Sequence, residues 1–111
     1  MEPVARLSST LFFHHVTADM TITLTAPEAT ESVMVTVSML SQDTAEPPDP
    51  MKWCLNENRP FSFCVQDSFE GPYDRALIKI EAPTGVKLIG YAVIRYPDDT
   101  IETRNASTWL R

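Results

Sequence analysis

Glycine, histidine and basic residues are scarce in this chain of 111 residues, and each shortage argues against a class of function. Three glycines are too few to expect a glycine-rich loop that cradles phosphates. Nine lysines and arginines against fifteen acids give a net charge of −6. Proteins that bind nucleic acid normally carry a basic face. No such face is visible in this sequence, so we expect no direct binding of DNA or RNA.

Long apolar runs are also missing. No segment is apolar for long enough to span a membrane. The first residues, MEPVARLSSTLFF, lack the charged and then apolar layout of a signal peptide. The default expectation from these two features is an intracellular, cytoplasmic protein.

What the chain does contain is apolar alternation with a period of two. Met20, Ile22 and Leu24 alternate with threonines, which is typical of a half-buried strand. The same pattern recurs along the chain, and turn residues fill the gaps. The sequence therefore predicts one domain over residues 1–111, an all-β antiparallel sandwich or flattened barrel of seven to nine strands with little or no helix. The predicted strands are 8–16, 19–26, 32–40, 51–55, 60–66, 75–81, 86–96 and 100–104.

The run over residues 87–96 is apolar on both faces, which favours a central position in a sheet. Gly90 lies inside this run. A glycine within a strand marks a bulge or a place where another part of the chain approaches closely.

The acids are concentrated in alternate loops. In an antiparallel fold each strand crosses the domain once, so the joins between strands 1–2, 3–4, 5–6 and 7–8 share one end. The second of these joins is the acidic, proline-rich loop 41–50, SQDTAEPPDP. Two aromatic residues, Phe69 and Tyr73, accompany the acids. The nine carboxylates expected at this end belong to Asp19, Asp43, Glu46, Asp49, Asp67, Glu70, Asp74, Asp98 and Asp99.

This distribution favours a non-catalytic binding or assembly module that engages a protein partner with a basic surface. Clustered charge attracts an opposite partner, and aromatic side chains anchor interfaces. The predicted partner-binding residues are Asp43, Glu46, Asp49, Asp67, Phe69, Glu70, Tyr73, Asp74, Asp98 and Asp99. A simpler interpretation also stands, since Asp is a preferred turn residue and the loops could be merely solvated.

Calcium is the one cofactor that the loops allow, because it takes six to eight oxygens from carboxylates and carbonyls. C2 domains hold calcium in sandwich loops of similar layout and act at membranes, although no C2 motif aligns to this chain. The candidate ligands are Asp43, Asp49, Asp67, Asp74, Asp98 and Asp99.

Two further alternatives concern edges and aromatic residues. A structural subunit of a larger assembly, such as a virion or secretion apparatus, would bury an edge strand or the Trp109 tail in a self-contact, making a homo-oligomer. A carbohydrate-binding module would use Trp53, Tyr91, Tyr96 and Trp109 as stacking surfaces.

The two cysteines allow a disulfide. If KWCL and FSFCV formed a hairpin around NENRP, Cys54 would lie opposite Cys64, and a cross-strand disulfide would be feasible in an oxidising compartment. The alternative is two reduced, half-buried thiols.

Nothing in the sequence indicates an enzyme. His14 and His15 are the only histidines, and as neighbours in a strand they would face opposite sides, so both could not bind one metal. No nucleophile elbow or HExxH motif is present. We therefore assign no catalytic residue.

Overall fold

A computed structural model describes residues 8–41, 49–57, 59–69, 73 and 75–108. The fold is an all-β sandwich of two antiparallel four-stranded sheets, as the alternation predicts. The only helix within these ranges, α1, spans the four residues Val65–Ser68. The strands are β1 (Thr10–Phe13), β2 (Met20–Thr25), β3 (Val33–Ser41), β4 (Met51–Leu55), β5 (Phe61–Cys64), β6 (Ala76–Glu81), β7 (Ile89–Arg95) and β8 (Ile101–Asn105).

The eight predicted strands all correspond to observed ones, and most are shorter than predicted. The main local difference follows β5. The sequence predicts that this strand continues through 66, but the backbone turns into α1 at Val65. The amide of Phe69 donates to the carbonyl of Val65 at 2.9 Å, which closes one helical turn. Val65 is buried at the start of this turn.

The first sheet has the order β1-β6-β3-β4 and the second sheet β5-β2-β7-β8. One lateral side of the sandwich is closed by backbone hydrogen bonds from β1. Phe12 and Ser107 exchange two bonds of 2.7 and 2.8 Å, and Ser8 and Leu88 exchange two of 3.1 and 2.8 Å. On the other side, β4 and β5 approach each other through the rings of Trp53 and Phe63.

The core lies between the sheets and contains the residues that alternation points inward. Met20, Ile22 and Leu24 of β2 are fully buried, and Val35 and Val37 of β3 meet them from the first sheet. Burial of such a side chain contributes about 1.5–3 kcal/mol relative to its exposure. The two inward faces thus supply the main force that holds the sheets together.

Gly90 marks a close approach, as its position in the β7 sequence predicts. A Cβ at this position would lie 3.0 Å from Cδ2 of Leu24, 3.1 Å from Cδ1 of Leu11 and 3.2 Å from the carbonyl oxygen of Thr23. β7 is also central, since it pairs with β2 on one side and β8 on the other. The missing side chain lets leucines from both sheets pack over the strand.

The hairpin on which the possible Cys54–Cys64 disulfide depended does not form. β4 pairs with β3 in the first sheet, which places Cys54 opposite Met34, whereas β5 pairs with β2 in the second sheet, which places Cys64 opposite Thr21. Both cysteines are free. The segment between the two strands crosses from one sheet to the other instead of forming a hairpin, so the two thiols never become neighbours in a ladder.

Candidate functional site

The ladder register brings four joins to one end of the sandwich. In the first sheet, Ser41 at the end of β3 lies opposite Ala76 at the start of β6. In the second sheet, Cys64 at the end of β5 lies opposite Thr21. The amide of Val16 donates to the carbonyl of Ala76 at 3.3 Å, which ties the β1–β2 join to the same end. This agrees with the loop placement predicted from strand parity, and we call this end the acidic end.

The predicted site residues that the structure describes at this end are mostly exposed. Asp49 and Asp67 are exposed, the latter on α1, and Asp98 and Asp99 are exposed in the β7–β8 turn. Asp19, in the β1–β2 join, is exposed as well. The remaining predicted acids, Asp43, Glu46, Glu70 and Asp74, lie outside the described residues.

The acids of this end form no ion pair with any described residue, although Arg95 lines the same hollow as Asp19 and Asp99. Among the described residues the ion pairs are Lys79 with Glu81 and Arg104 with Glu102, and neither pair involves the acidic end. Within the same ranges, the carboxylates of Asp19, Asp67 and Asp99 accept no hydrogen bond from a protein group. They are therefore free to interact with a cationic group from outside.

Asp98 differs from its neighbours because its carboxylate accepts hydrogen bonds from a nearby residue of the chain. Its Oδ1 accepts hydrogen bonds from the hydroxyl of Thr100 at 2.6 Å and from the amide of Thr100 at 3.1 Å. These bonds favour the charged carboxylate and lower the pKa of Asp98 below its ordinary value of 3.8. Asp99 follows with φ of 68°, so Asp98 serves the tight turn between β7 and β8.

The two aromatic residues of the predicted site do not stand out as exposed anchors. Phe69 is only 3% exposed and belongs to the hydrophobic core. Tyr73 is half-buried against the core, and its hydroxyl donates to the carbonyl of Phe69 at 2.5 Å. The sequence could not distinguish a core aromatic from a surface aromatic in an irregular segment, because no period shows which way the side chain points.

An open hollow of about 580 Å³ lies where the acidic end meets the outer face of the second sheet. Cys64, Thr21 and Val93 are neighbours across β5, β2 and β7, and all three line it. The hollow is lined by Asp19, Thr21, Cys64, Gln66, Val93, Arg95, Tyr96, Pro97 and Asp99.

This hollow combines two carboxylates, an amide, a guanidinium and a phenol. Sequence analysis missed Gln66, Arg95 and Tyr96 as part of the site. The alternation of side chains along β7 predicts that Arg95 points away from the core, so its place in the hollow could have been predicted. The place of Gln66 could not, because it depends on the unexpected helix α1.

The described residues contain no group of three or more His, Cys, Asp or Glu side chains close enough to hold a metal ion. Two of the candidate calcium ligands, Asp43 and Asp74, lie outside the part described. His14 stacks on Phe12 with ring centroids 6.5 Å apart, and His15 is exposed with φ of 54°.

In the part of the chain that the structure describes, no helix has the length and apolar character needed to cross a membrane. Comparison with protein-family models, with curated proteins and with solved structures found no match to this chain. Function must therefore be inferred from the residues of the acidic end themselves.

Proposed function

We propose that the protein is a non-catalytic binding module whose acidic end captures a protein partner through a basic surface. The observation that supports this most directly is the set of exposed carboxylates at Asp19, Asp67 and Asp99, which have no described protein partner. A surface on which carboxylates outnumber basic groups accelerates encounter with a cationic partner and selects against acidic ones.

The hollow supplies the finer part of this proposal. Asp19 and Asp99 lie at its lining and can pair with lysine or arginine side chains of a partner. Tyr96 is 39% exposed and offers the aromatic surface that the buried Phe69 does not. Gln66 adds an amide that can donate and accept hydrogen bonds. A basic segment with one inserted cationic side chain would match this combination.

Asp98 is not included among the contact residues. Its carboxylate is occupied by Thr100, so its charge contributes to the field of the acidic end while its hydrogen bonds serve the turn. If the acids were only solvated turn residues, replacing Asp98 or any other acid of this end should affect partner binding equally little. The proposal instead expects the acids without a described partner to contribute most.

A matched pair of charge-reversal variants tests the proposal. One variant carries Asp19→Lys, Asp67→Lys and Asp99→Lys. The other carries Glu28→Lys, Glu31→Lys and Glu57→Lys, three exposed acids of the opposite end, and so changes the net charge equally. Proteins captured from an extract of the native host by the wild type are identified, and their affinity for each variant is measured at low and high salt.

We expect the acidic-end variant to bind about tenfold or more weakly at low salt, with the difference shrinking as salt screens the charges. The opposite-end variant should bind like the wild type. Equal binding by all three proteins, or equal loss in both variants, would contradict a role for the acidic end.

A further inference from the structure

Within the part of the chain that the structure describes, the outer edge of β8 carries a row of backbone hydrogen-bonding groups that no other strand pairs with. The amide of Tyr96 donates to the carbonyl of Thr100 at 2.9 Å, and the amide of Ala106 donates to the carbonyl of Gly90 at 3.1 Å. Because hydrogen-bonded positions alternate in an antiparallel ladder, Glu102 and Arg104 direct their backbone groups toward β7. The backbone groups of Ile101, Thr103 and Asn105 therefore point away from it.

Nothing described in the chain covers this stretch of edge with backbone hydrogen bonds. The comparable outer edge of β1 is closed by Phe12 with Ser107 and by Ser8 with Leu88, whereas no such bond from a described residue reaches residues 101–105 from outside the second sheet. Natural sheets block open edges with proline, bulges or unpaired charge because an open edge recruits another strand. The β8 sequence, IETRN, contains no proline.

The side chains of β8 are self-complementary about its middle residue. If a second strand of the same sequence ran antiparallel to it about a two-fold axis at Thr103, position 102 would lie opposite 104 and position 101 opposite 105. Glu102 would then face the partner's Arg104, and Arg104 would face the partner's Glu102. Shifting this register by two residues would remove at least one of these opposite-charge pairs.

The backbone parity agrees with the same axis. Thr103 points its amide and carbonyl outward, so it can exchange both bonds with the partner's Thr103, and Ile101 can do so with the partner's Asn105. Glu102 and Arg104 then occupy the non-hydrogen-bonded positions, where facing side chains of an antiparallel pair lie closest. The charge pairing and the backbone hydrogen bonding thus each favour the same register.

We propose that β8 pairs with β8 of a second copy of this chain, joining the two second sheets into one continuous sheet. Glu102 and Arg104 already pair within the strand, Glu102 also accepts a hydrogen bond from the hydroxyl of Tyr96 at 3.3 Å, and Arg104 donates one to the carbonyl of His15 at 3.4 Å. Their side chains are still 40% and 35% exposed, so each can also contact a second copy. Ile101, whose side chain is 59% exposed and the most exposed large hydrophobic one among the described residues, lies on the same strand and loses exposure on pairing. This self-association surface is separate from the acidic carboxylates invoked for partner capture.

Sedimentation equilibrium over a wide range of protein concentration gives the first test. We expect the weight-average mass to rise from the 12.5 kDa monomer toward twice that value. Thr103→Pro removes an outward amide that the monomer does not use, so the thermal melt of the dilute protein should change little while self-association is lost. A wild type that stays monomeric throughout would overturn the proposal, as would a dimer that Thr103→Pro leaves intact.

A charge complementation experiment gives the sharper test. Glu102→Arg alone and Arg104→Glu alone each place like charges opposite one another in a homodimer, and each should weaken self-association about tenfold. An equimolar mixture of the two variants should associate again, because the introduced arginine faces an acid and the introduced glutamate faces a base. The intrachain pair stays broken in both proteins, so rescue cannot come from refolding a monomer. Failure of the mixture to associate more tightly than either variant would exclude this register.

Discussion

Trp53 of β4 and Phe63 of β5 pack with ring centroids 4.7 Å apart, although their strands belong to different sheets. Phe61 joins them, with its ring centroid 5.3 Å from that of Trp53. The aromatic contact therefore closes one lateral side of the sandwich, opposite the side closed by the backbone bonds of β1. It also lies where the chain passes from the first sheet to the second.

Truncation of this contact should destabilise the fold. We expect Trp53→Ala to lower the free energy of unfolding by about 3 kcal/mol, the lower part of the range for buried aromatics, because Trp53 is only partly buried. Urea denaturation monitored by circular dichroism measures the change. Lys52→Ala, at an exposed position of the same strand, serves as the control and should change it by about 0.5 kcal/mol or less. Equal losses in the two variants would show that the ring contact does not hold the sheets.

Asp98 should make stability depend on pH in the acid range. Its pKa is lowered in the folded protein by the hydrogen bonds from Thr100, so the stabilisation is present above its ordinary value of 3.8 and is lost as the pH falls through the lower folded value. We therefore expect Asp98→Ala to melt at a lower temperature than the wild type at neutral pH. The difference should close in strong acid.

Melting temperatures recorded from neutral pH to pH 2 test this dependence, with Asp67→Ala as a control for the loss of an exposed carboxylate that makes no described hydrogen bond. A gap between wild type and Asp98→Ala that persists unchanged in strong acid would contradict the assignment.

The two thiols should react separately and at different rates. Cys54 is exposed, whereas Cys64 is half-buried and its thiol lies 3.7 Å from the carbonyl oxygen of Ala18. We expect an alkylating reagent to modify Cys54 first and Cys64 more slowly in the native protein, as measured by mass spectrometry over time. Cys54→Ser should abolish the fast phase and Cys64→Ser the slow one. An intramolecular disulfide in the oxidised native protein would be inconsistent with the sheet topology.

Calcium addition separates partner capture from metal binding at the acidic end. A ligand at a hundred times its dissociation constant stabilises a protein by about 2.7 kcal/mol, which for a domain of this size corresponds to a melting shift of roughly ten degrees. We expect no calcium-specific shift between EDTA and millimolar calcium, with magnesium as the control. A large shift would instead identify a calcium site, and loss of that shift in Asp43→Asn or Asp74→Asn would locate it in the loops.

The positions of the strands follow from the sequence because side-chain alternation is a local property of extended backbone. The pattern over Asp19–Thr25 predicts β2 and its inward residues without knowledge of any neighbour. Strand parity also places the loops, since each antiparallel crossing reverses the chain. Even the close approach at Gly90 is visible as a missing side chain within an apolar run.

Pairing between strands depended on the tertiary structure, because it is decided by packing between residues far apart in the chain. Local alternation is the same whether β4 and β5 form a hairpin or lie in opposite sheets, so the separation of Cys54 from Cys64 could not be read from it. The burial of Phe69 and the lining of the hollow by Thr21, Cys64 and Val93 have the same origin. The sequence by itself determined where the strands lie along the chain and which joins share an end, and the three-dimensional packing decided which residues share a surface.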